Sequence, residues 1–243
     1  MNVFAKLAIA AAAVVVIAVI GINLLPAGSG AGGNAPAPSP SPSATATPSP
    51  SPTPVAVFPP AGVLAIGRHA MTLEGVPFTL NVPTSGWISN GSFGIDKSTG
   101  VASDGASFIF WTDAPTGVFS DPCANVKAPP VGPSAADLAA AVAAVPGTDL
   151  VSGPTDVTVG GHPAKHVVLT IREDVTCDAQ SFFLWYGPPA DLARYATELG
   201  STIRVWIVDV DGTIVWIDGE TYKGAGPTPD QEIQQVIDSI QFE

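Results

Sequence analysis

The segment 203–218 restricts the fold more than any other, because it predicts two paired strands that are apolar on both faces. Asp211-Gly212 is typical of a two-residue type I′ turn. That turn sets the facing pairs Val210–Thr213, Val208–Val215, Trp206–Ile217, Ile207–Trp216 and Val205–Asp218. Side chains alternate between the faces of a strand, and a half-solvated sheet shows polar residues on one of them. Because neither face is polar here, we expect cover on both sides, as in a helix–sheet–helix sandwich.

The rest of the stretch 61–243 predicts strands with helices between and after them. Alternating residues around Glu74-Gly75 indicate a hairpin at 68–83. Further strands are expected at 107–112, 155–159, 164–172 and 181–186. One helix is expected to begin after Ser134, a short one to cover 190–199, and a last one to follow Thr228-Pro229. The pattern predicts an α+β domain, an α/β/α sandwich in which helices cover both faces of a mainly antiparallel sheet.

An uncharged apolar stretch at residues 7–25, from Leu7 to Leu25, precedes that domain. As a helix with a rise of about 1.5 Å per residue it would span about 28 Å, close to the ~30 Å hydrocarbon core of a bilayer. We interpret it as a single-pass membrane anchor that leaves the C-terminal domain outside the cytoplasm, with Lys6 inside. The alternative is a cleaved signal peptide, with small residues near Ser29 for the peptidase and a secreted product.

Residues 26–60 contain 11 of the 25 prolines and no charged side chain. Such a composition cannot bury enough apolar surface to offset the entropy lost on ordering, so it predicts a disordered, proline-rich linker. Its Ser, Thr and Pro content would also permit O-glycosylation. The expected organisation is therefore an anchor or signal peptide at 1–25, a linker at 26–60 and an extracytoplasmic domain at 61–243.

The charge balance excludes one class of partner. The chain carries 21 acidic against 9 basic side chains, for a net charge of −12. A protein that binds nucleic acid presents a basic surface, so we expect no nucleic-acid partner. The sequence also contains no phosphate-binding loop and no dinucleotide fingerprint, so we expect no cofactor.

The string DVDGT at 209–213 matches the nucleophile motif of the haloacid dehalogenase superfamily, in which the first Asp attacks phosphate. Those enzymes need further Ser/Thr, Lys and acidic residues downstream, whereas the short stretch that follows here has a single lysine. A hairpin turn explains every residue of the motif. The motif contains Asp209 and Asp211, and two more acids, Asp218 and Glu220, follow it. Together the four could form an acidic cluster that serves a hydrolase or binds calcium. The simpler interpretation of the cluster is a solvated hairpin end.

His162 and His166 do not predict a metal site, although their spacing would suit one on a helix. The segment that contains them is expected to be a turn followed by a strand. Four residues of extended chain span about 13 Å, too far for both rings to bind one ion. We therefore expect no bound metal.

Two further groups of residues carry a prediction. Cys123 and Cys177 are the only cysteines, and because they lie on chain expected outside the cytoplasm, we expect a disulfide between them. Most tryptophans are expected in the core. The candidates for an exposed ligand-binding surface are Trp185 and Tyr186 at a strand end, and Tyr222 and Lys223 in a loop.

Two stretches of the domain resemble PsbP-like domains. They read GVPFTLNVP at 75–83, followed by Gly86-Trp87, and VGGHPA at 159–164. They are similar to an opening strand and a hairpin of that α/β/α fold. The whole of 61–243 also resembles uncharacterised bacterial extracytoplasmic domains that follow a membrane anchor. The resemblance implies a binding or interaction role and supplies no catalytic residue.

The expected function is a membrane-anchored, extracytoplasmic interaction module without catalytic activity. Its partners would be the membrane, through Leu7 to Leu25, and a protein or cell-envelope component. One alternative is a secreted hydrolase that acts through Asp209, Asp211 and Asp218. The other is a small-ligand sensor domain, which a pocket in the structure would favour.

Overall fold

The computed structural model describes residues 58–97, 105–111, 113–188 and 192–243, which form three antiparallel sheets and two α-helices. The strands are β1 Gly62–Val63, β2 Gly67–Leu73, β3 Val76–Val82, β4 Trp87–Ser89, β5 Gly94–Lys97, β6 Ala106–Phe110, β7 Gly117–Asp121, β8 Val126–Lys127, β9 Thr148–Val159, β10 His162–Ile171, β11 Phe183–Gly187, β12 Leu192–Tyr195, β13 Thr202–Val210, β14 Thr213–Thr221 and β15 Gln241–Phe242. The helices are α1 Ala135–Ala143 and α2 Pro227–Asp238.

The largest sheet has eight strands in the order β1-β4-β5-β6-β14-β13-β10-β9, so the β13–β14 hairpin lies near its centre and the twelve-residue β9 forms one edge. A four-stranded sheet has the order β12-β11-β7-β8, and a three-stranded sheet has the order β15-β3-β2. Strands that are close in sequence mostly pair with each other, as is usual for antiparallel sheets.

The register of the β13–β14 hairpin is the one that the sequence predicts. Val210 pairs with Thr213, Ile207 with Trp216 and Val205 with Asp218. At the turn, φ is +52° for Asp211 and +91° for Gly212, which are the left-handed conformations that a type I′ turn requires. The prediction of a hairpin around Glu74-Gly75 is also confirmed, by β2 and β3.

Both faces of the central hairpin are buried, each in a separate apolar core. On one face Val208, Val215 and Ile217 pack with β2, β3 and α2. On the other face Val205, Ile207 and Trp216 pack with α1 and β11. The expectation that neither face is solvated is therefore confirmed.

The prediction of an α/β/α sandwich is wrong, because the described chain is mostly antiparallel sheet and its two helices form a minor part of the cover. The hairpin of β2 and β3 and the pair β11–β12 lie where helical layers were expected. The segment 190–199 in particular was expected to be helical, but Leu192–Tyr195 is strand β12, paired with β11. Pairing with the preceding strand β11 outweighs the helix propensity of this Ala- and Leu-containing segment.

The two helices that do form begin close to the predicted positions. Ser134 caps α1: its Oγ accepts a hydrogen bond from the Asp137 amide at 3.2 Å and donates one to the Asp137 carboxylate at 2.6 Å. Helix α2 begins after Gly226, two residues before the predicted cap. Its apolar residues are buried at the predicted spacing, namely Ile233, Val236 and Ile237, with Ile240 just beyond its end.

The prediction of a transmembrane helix, and with it a single-pass location in the cell membrane, is corrected. Among the described residues, none of the helices has the length and apolar character needed to cross a bilayer. The stretch from Leu7 to Leu25, on which the prediction rested, and the linker up to residue 57 lie outside the described residues. The proposed division at 25 and 60 stays a prediction.

The disulfide between Cys123 and Cys177 is confirmed, with 5.5 Å between the two Cα atoms. Cys123 follows β7 and Cys177 precedes β11, so the bond links the chain segments that flank two neighbouring strands of the four-stranded sheet. It closes a long loop, because the two residues are 54 positions apart.

Removing this disulfide should destabilise the protein, because the unfolded chain is then less constrained and has a higher entropy. In the chain-entropy model a loop of this length contributes roughly 4 kcal/mol, as an upper value. We expect the Cys123→Ser/Cys177→Ser variant to unfold at lower urea concentration than the wild type, by up to that free energy. The Cys123→Ala/Cys177→Ala variant is the control for the polarity of serine. An unchanged midpoint, with a wild type that shows no free thiol, would contradict the prediction.

Candidate functional site

A cavity of about 360 Å³ lies between the β5–β6 part of the eight-stranded sheet and strand β12. Its lining residues come from three chain segments, 90–96, 107–111 and 192–197. Half of the twelve lining residues are apolar or aromatic, including Phe93, Ile109, Trp111 and Leu192. Two other cavities, of about 310 and 260 Å³, are more open to solvent and are lined mainly by loops. The first cavity is therefore the candidate site.

A buried ionic cluster of Arg194, Asp218 and Glu220 lies at this cavity. Arg194, on β12, donates from Nε to Asp218 Oδ1 at 3.2 Å and from Nη2 to Glu220 Oε2 at 2.5 Å. It also donates to the carbonyl oxygen of Tyr195. Asp218 and Glu220 alternate along β14 and so share one face of the strand. All three side chains are buried, which makes this cluster part of the interior.

Neighbouring donors satisfy the remaining carboxylate oxygens of the cluster. Trp111 donates from Nε1 to Asp218 Oδ2 at 2.9 Å. Thr197 donates from its amide to Glu220 Oε1 at 3.1 Å and from its hydroxyl to Glu220 Oε2 at 2.7 Å. Buried charges remain stable only when they are paired and hydrogen-bonded in this way.

The cluster is fully buried and contains one more carboxylate than guanidinium. Burial raises the pKa of Asp218 and outweighs the lowering by Arg194 and by the Trp111 hydrogen bond. Burial alone would lower the pKa of Arg194, but Glu220 and Asp218 together raise it, so the guanidinium stays charged. Carboxyl groups therefore outnumber cations on the sheet face below the cavity.

Asp96, on β5, is the carboxylate among the residues that line the cavity. It shares a row across the sheet with Ser107 and Glu220, because Asp96 pairs with Ser107 and Ser107 pairs with Glu220. Directly paired residues point to the same face. The side chain is half-buried, and burial raises its pKa. Asp96 makes no hydrogen bond and no ion pair with another residue in the described part of the chain.

The acidic residues singled out in the sequence do not form one cluster. Asp211 is exposed in the hairpin turn, and Asp209 accepts a hydrogen bond from the Gly212 amide at 2.7 Å. Asp218 lies seven residues further along β14 from Asp211, about 23 Å away in an extended strand. Across the described ranges, no group of three His, Cys, Asp or Glu side chains is arranged to hold a metal ion.

The aromatic ligand-binding candidates lie in different environments. Trp185 and Tyr186 were expected to be exposed, and this is wrong: Trp185 is fully buried beside Trp216, and Tyr186 is buried with its hydroxyl on the Ala128 carbonyl at 2.6 Å. Tyr222 is half-buried, and its pKa is raised by burial and by the charges of Glu220 and Asp96. Lys223 is exposed and pairs with Glu173 at 2.6 Å. A role of these four residues in binding stays a prediction.

The histidines are used in packing and edge contacts. His166 stacks on Trp206 with 4.8 Å between ring centroids, and burial lowers its pKa, as does Arg204. His162 packs edge-on against Phe242 at 5.3 Å. His69 donates a hydrogen bond from Nε2 to the carbonyl oxygen of Ala65 at 2.7 Å.

The sequence reasoning did not identify Arg194, Asp96, Phe93 or Trp111 as site residues. One signal was available for the cluster, since Asp218 and Glu220 alternate on a strand that is otherwise apolar. Two acids that face a buried layer require a cation. The sequence does not indicate which of the arginines supplies it, because that depends on how distant strands pair.

Comparisons with known proteins give little beyond a distant likeness. No family model matches the chain, and no curated protein matches it. One solved structure is similar in part, the crystal structure of LpqN, described as involved in cell envelope biogenesis of Mycobacterium tuberculosis. It has 11% sequence identity and a TM-score of 0.42, over 73% of this chain and 91% of LpqN. An extracytoplasmic domain is compatible with this likeness, which at this level carries no argument about function. No family match supports the finer resemblance to PsbP-like domains.

The raised pKa of the buried Asp218 predicts how the free energy of unfolding depends on pH. Because the pKa of Asp218 is raised by folding, the contribution of this group is fully present below about pH 4 and is lost as pH rises through the folded-state pKa. Asp218→Asn removes the titration and keeps an acceptor for Trp111. We expect the free energy of unfolding of D218N, relative to the wild type, to increase from about pH 4 to about pH 8 in urea denaturation.

Asp211→Asn is the matched control for this experiment, since Asp211 is exposed in the turn of the same hairpin. That variant should follow the pH profile of the wild type. If the free energies of unfolding of D218N and the wild type change in parallel with pH, then folding does not raise the pKa of Asp218.

Proposed function

We propose that this protein is a non-catalytic, extracytoplasmic binding module that takes a small ligand in the cavity between β12 and the β5–β6 part of the sheet. The observation that carries the proposal is the cavity itself. Its volume of about 360 Å³ falls within the roughly 300–1,000 Å³ typical of small-molecule sites. Such sites combine an apolar lining with polar groups that orient the ligand, and this cavity is lined by residues of both kinds.

The positions of Asp209, Asp211 and Asp218 argue against the hydrolase alternative, which relied on these three residues. A hydrolase would need a carboxylate free to act as acid, base or nucleophile next to a second one. Asp218 instead accepts hydrogen bonds on both oxygens, from Arg194 and from Trp111. Asp209 and Asp211 belong to the hairpin turn, away from the cavity lining.

The disulfide supports an extracytoplasmic location, because such bonds persist in oxidising compartments and are rare in the cytosol. A protein or cell-envelope partner, expected from the sequence, stays a prediction. The proposal is narrower: it places the ligand in one cavity, which favours the small-ligand alternative named above.

The proposal is tested by screening a chemically diverse set of fragments against the full 243-residue chain by amide NMR. We expect some fragments to bind with dissociation constants near or below about 1 mM and to shift the amides of Gly94, Ala193 and Thr197. Ser107→Phe places a large side chain on the sheet face that bears Asp96 and Glu220, so it fills part of the cavity and should abolish those shifts.

Ala140→Phe is the control, because Ala140 is exposed on α1 and does not line the cavity. It should leave fragment binding unchanged. The melting temperature of both variants is measured first, so that lost binding is not confused with lost folding. If no fragment shifts the cavity amides in the folded wild type, the proposed function is wrong.

A further inference from the structure

We infer that the cavity is built for an organic ammonium ion, an amine carried on an apolar body, with the Asp96 carboxylate as its counter-charge. The inference rests on the proposed function and names the ligand class of the same site. Three features of the cavity support it: a carboxylate without a partner among the described residues, a sheet face on which carboxyl groups outnumber cations, and an aromatic lining.

The first feature is that Asp96 has no hydrogen-bond or ion-pair partner among the residues that the structure describes. Its neighbour Lys97 points elsewhere and pairs with Glu232 at 2.8 Å. Within the described residues no cation pairs with Asp96, although the side chain is half-buried. A partly desolvated carboxylate without a partner is costly, and its raised pKa reflects that cost. A ligand with a positive charge would remove it.

The second feature is the charge of the surrounding sheet face. Asp96, Asp218 and Glu220 point to the same face, because the strand registers align Asp96 with Glu220 across Ser107. Arg194 is the cation that contacts two of them, and its N–H groups are directed to Asp218, Glu220 and the Tyr195 carbonyl. An anionic ligand would therefore meet three carboxylates and one guanidinium that already donates to two of them.

The third feature is the set of aromatic residues along the cavity. Phe93 and Tyr195 are 43% and 49% exposed, which is unusual for such large side chains, and both line the cavity. Trp111 lines it from the buried side. Aromatic rings attract ammonium groups by about 0.5–2 kcal/mol, more strongly when water is excluded. A carboxylate together with several aromatic residues is thus suited to an ammonium group on an apolar body.

The test compares three probes that share a phenyl body and differ in the head group: 2-phenylethylamine, 2-phenylethanol and 3-phenylpropionate. Each is titrated into the full chain at low salt and neutral pH, with amide shifts at Gly94 and Ala193 as the site-specific readout. We expect the amine to bind about tenfold more tightly than the alcohol and the carboxylate. Asp96→Asn should remove that advantage and leave the affinity for the alcohol unchanged.

Asp178→Asn is the matched control, because it removes the same charge from an exposed position whose side chain makes no capping hydrogen bond. It should keep the preference for the amine. Equal binding of the amine and the alcohol, or a preference that survives in D96N, would overturn the inference and leave the proposed function intact. If the three probes fail while other fragments of the screen bind in the cavity, the ligand class is wrong. If no fragment of any class binds there, the proposed function fails as well.

Discussion

The central β13–β14 hairpin has to be covered on both faces, and the rest of the structure depends on this constraint. Val208 and Ile217 on one face and Ile207 and Trp216 on the other are all buried. Burying large apolar side chains contributes roughly 1.5–3 kcal/mol each, so an uncovered face would forfeit a large share of the stability. The three-stranded sheet with α2, and the four-stranded sheet with α1, supply the two covers.

Strand β14 is deeply buried and yet carries charged residues, which must be paired with a cation. Asp218 and Glu220 have no access to water, so a cation must come from the covering layer. Arg194 supplies it, and in doing so fixes where β12 lies over the sheet. Strand β6 pairs with β14, and β5 follows β6 in the sheet. The cavity is the space left between them and β12, which connects the electrostatics of the core to the candidate site.

How much could be predicted from the sequence differs sharply between local and long-range features. The Asp211-Gly212 turn, the register that follows from it and the Ser134 cap depend on nearby residue types, and they were predicted correctly. The Cys123–Cys177 disulfide was also predicted correctly, because the sequence contains no other cysteine. The layers that cover the central hairpin were not, because the segment at 190–199 has helix-forming residues and becomes a strand only by pairing with β11. The candidate site combines three distant segments, so its composition could not be derived without their relative positions.

The edge strand β9 has a further consequence for how the molecule behaves among its own copies. A twelve-residue outer strand with exposed Leu150 and Val151 offers backbone donors and acceptors to any other extended chain. Pro154 lacks an amide hydrogen in the middle of that strand, and the pairing with β10 shifts register nearby, between His166 and Val168. Both irregularities interrupt the ladder that a second copy would need. The edge is thus protected against edge-to-edge pairing with another sheet. A concentrated solution of this protein should therefore resist aggregation through β9.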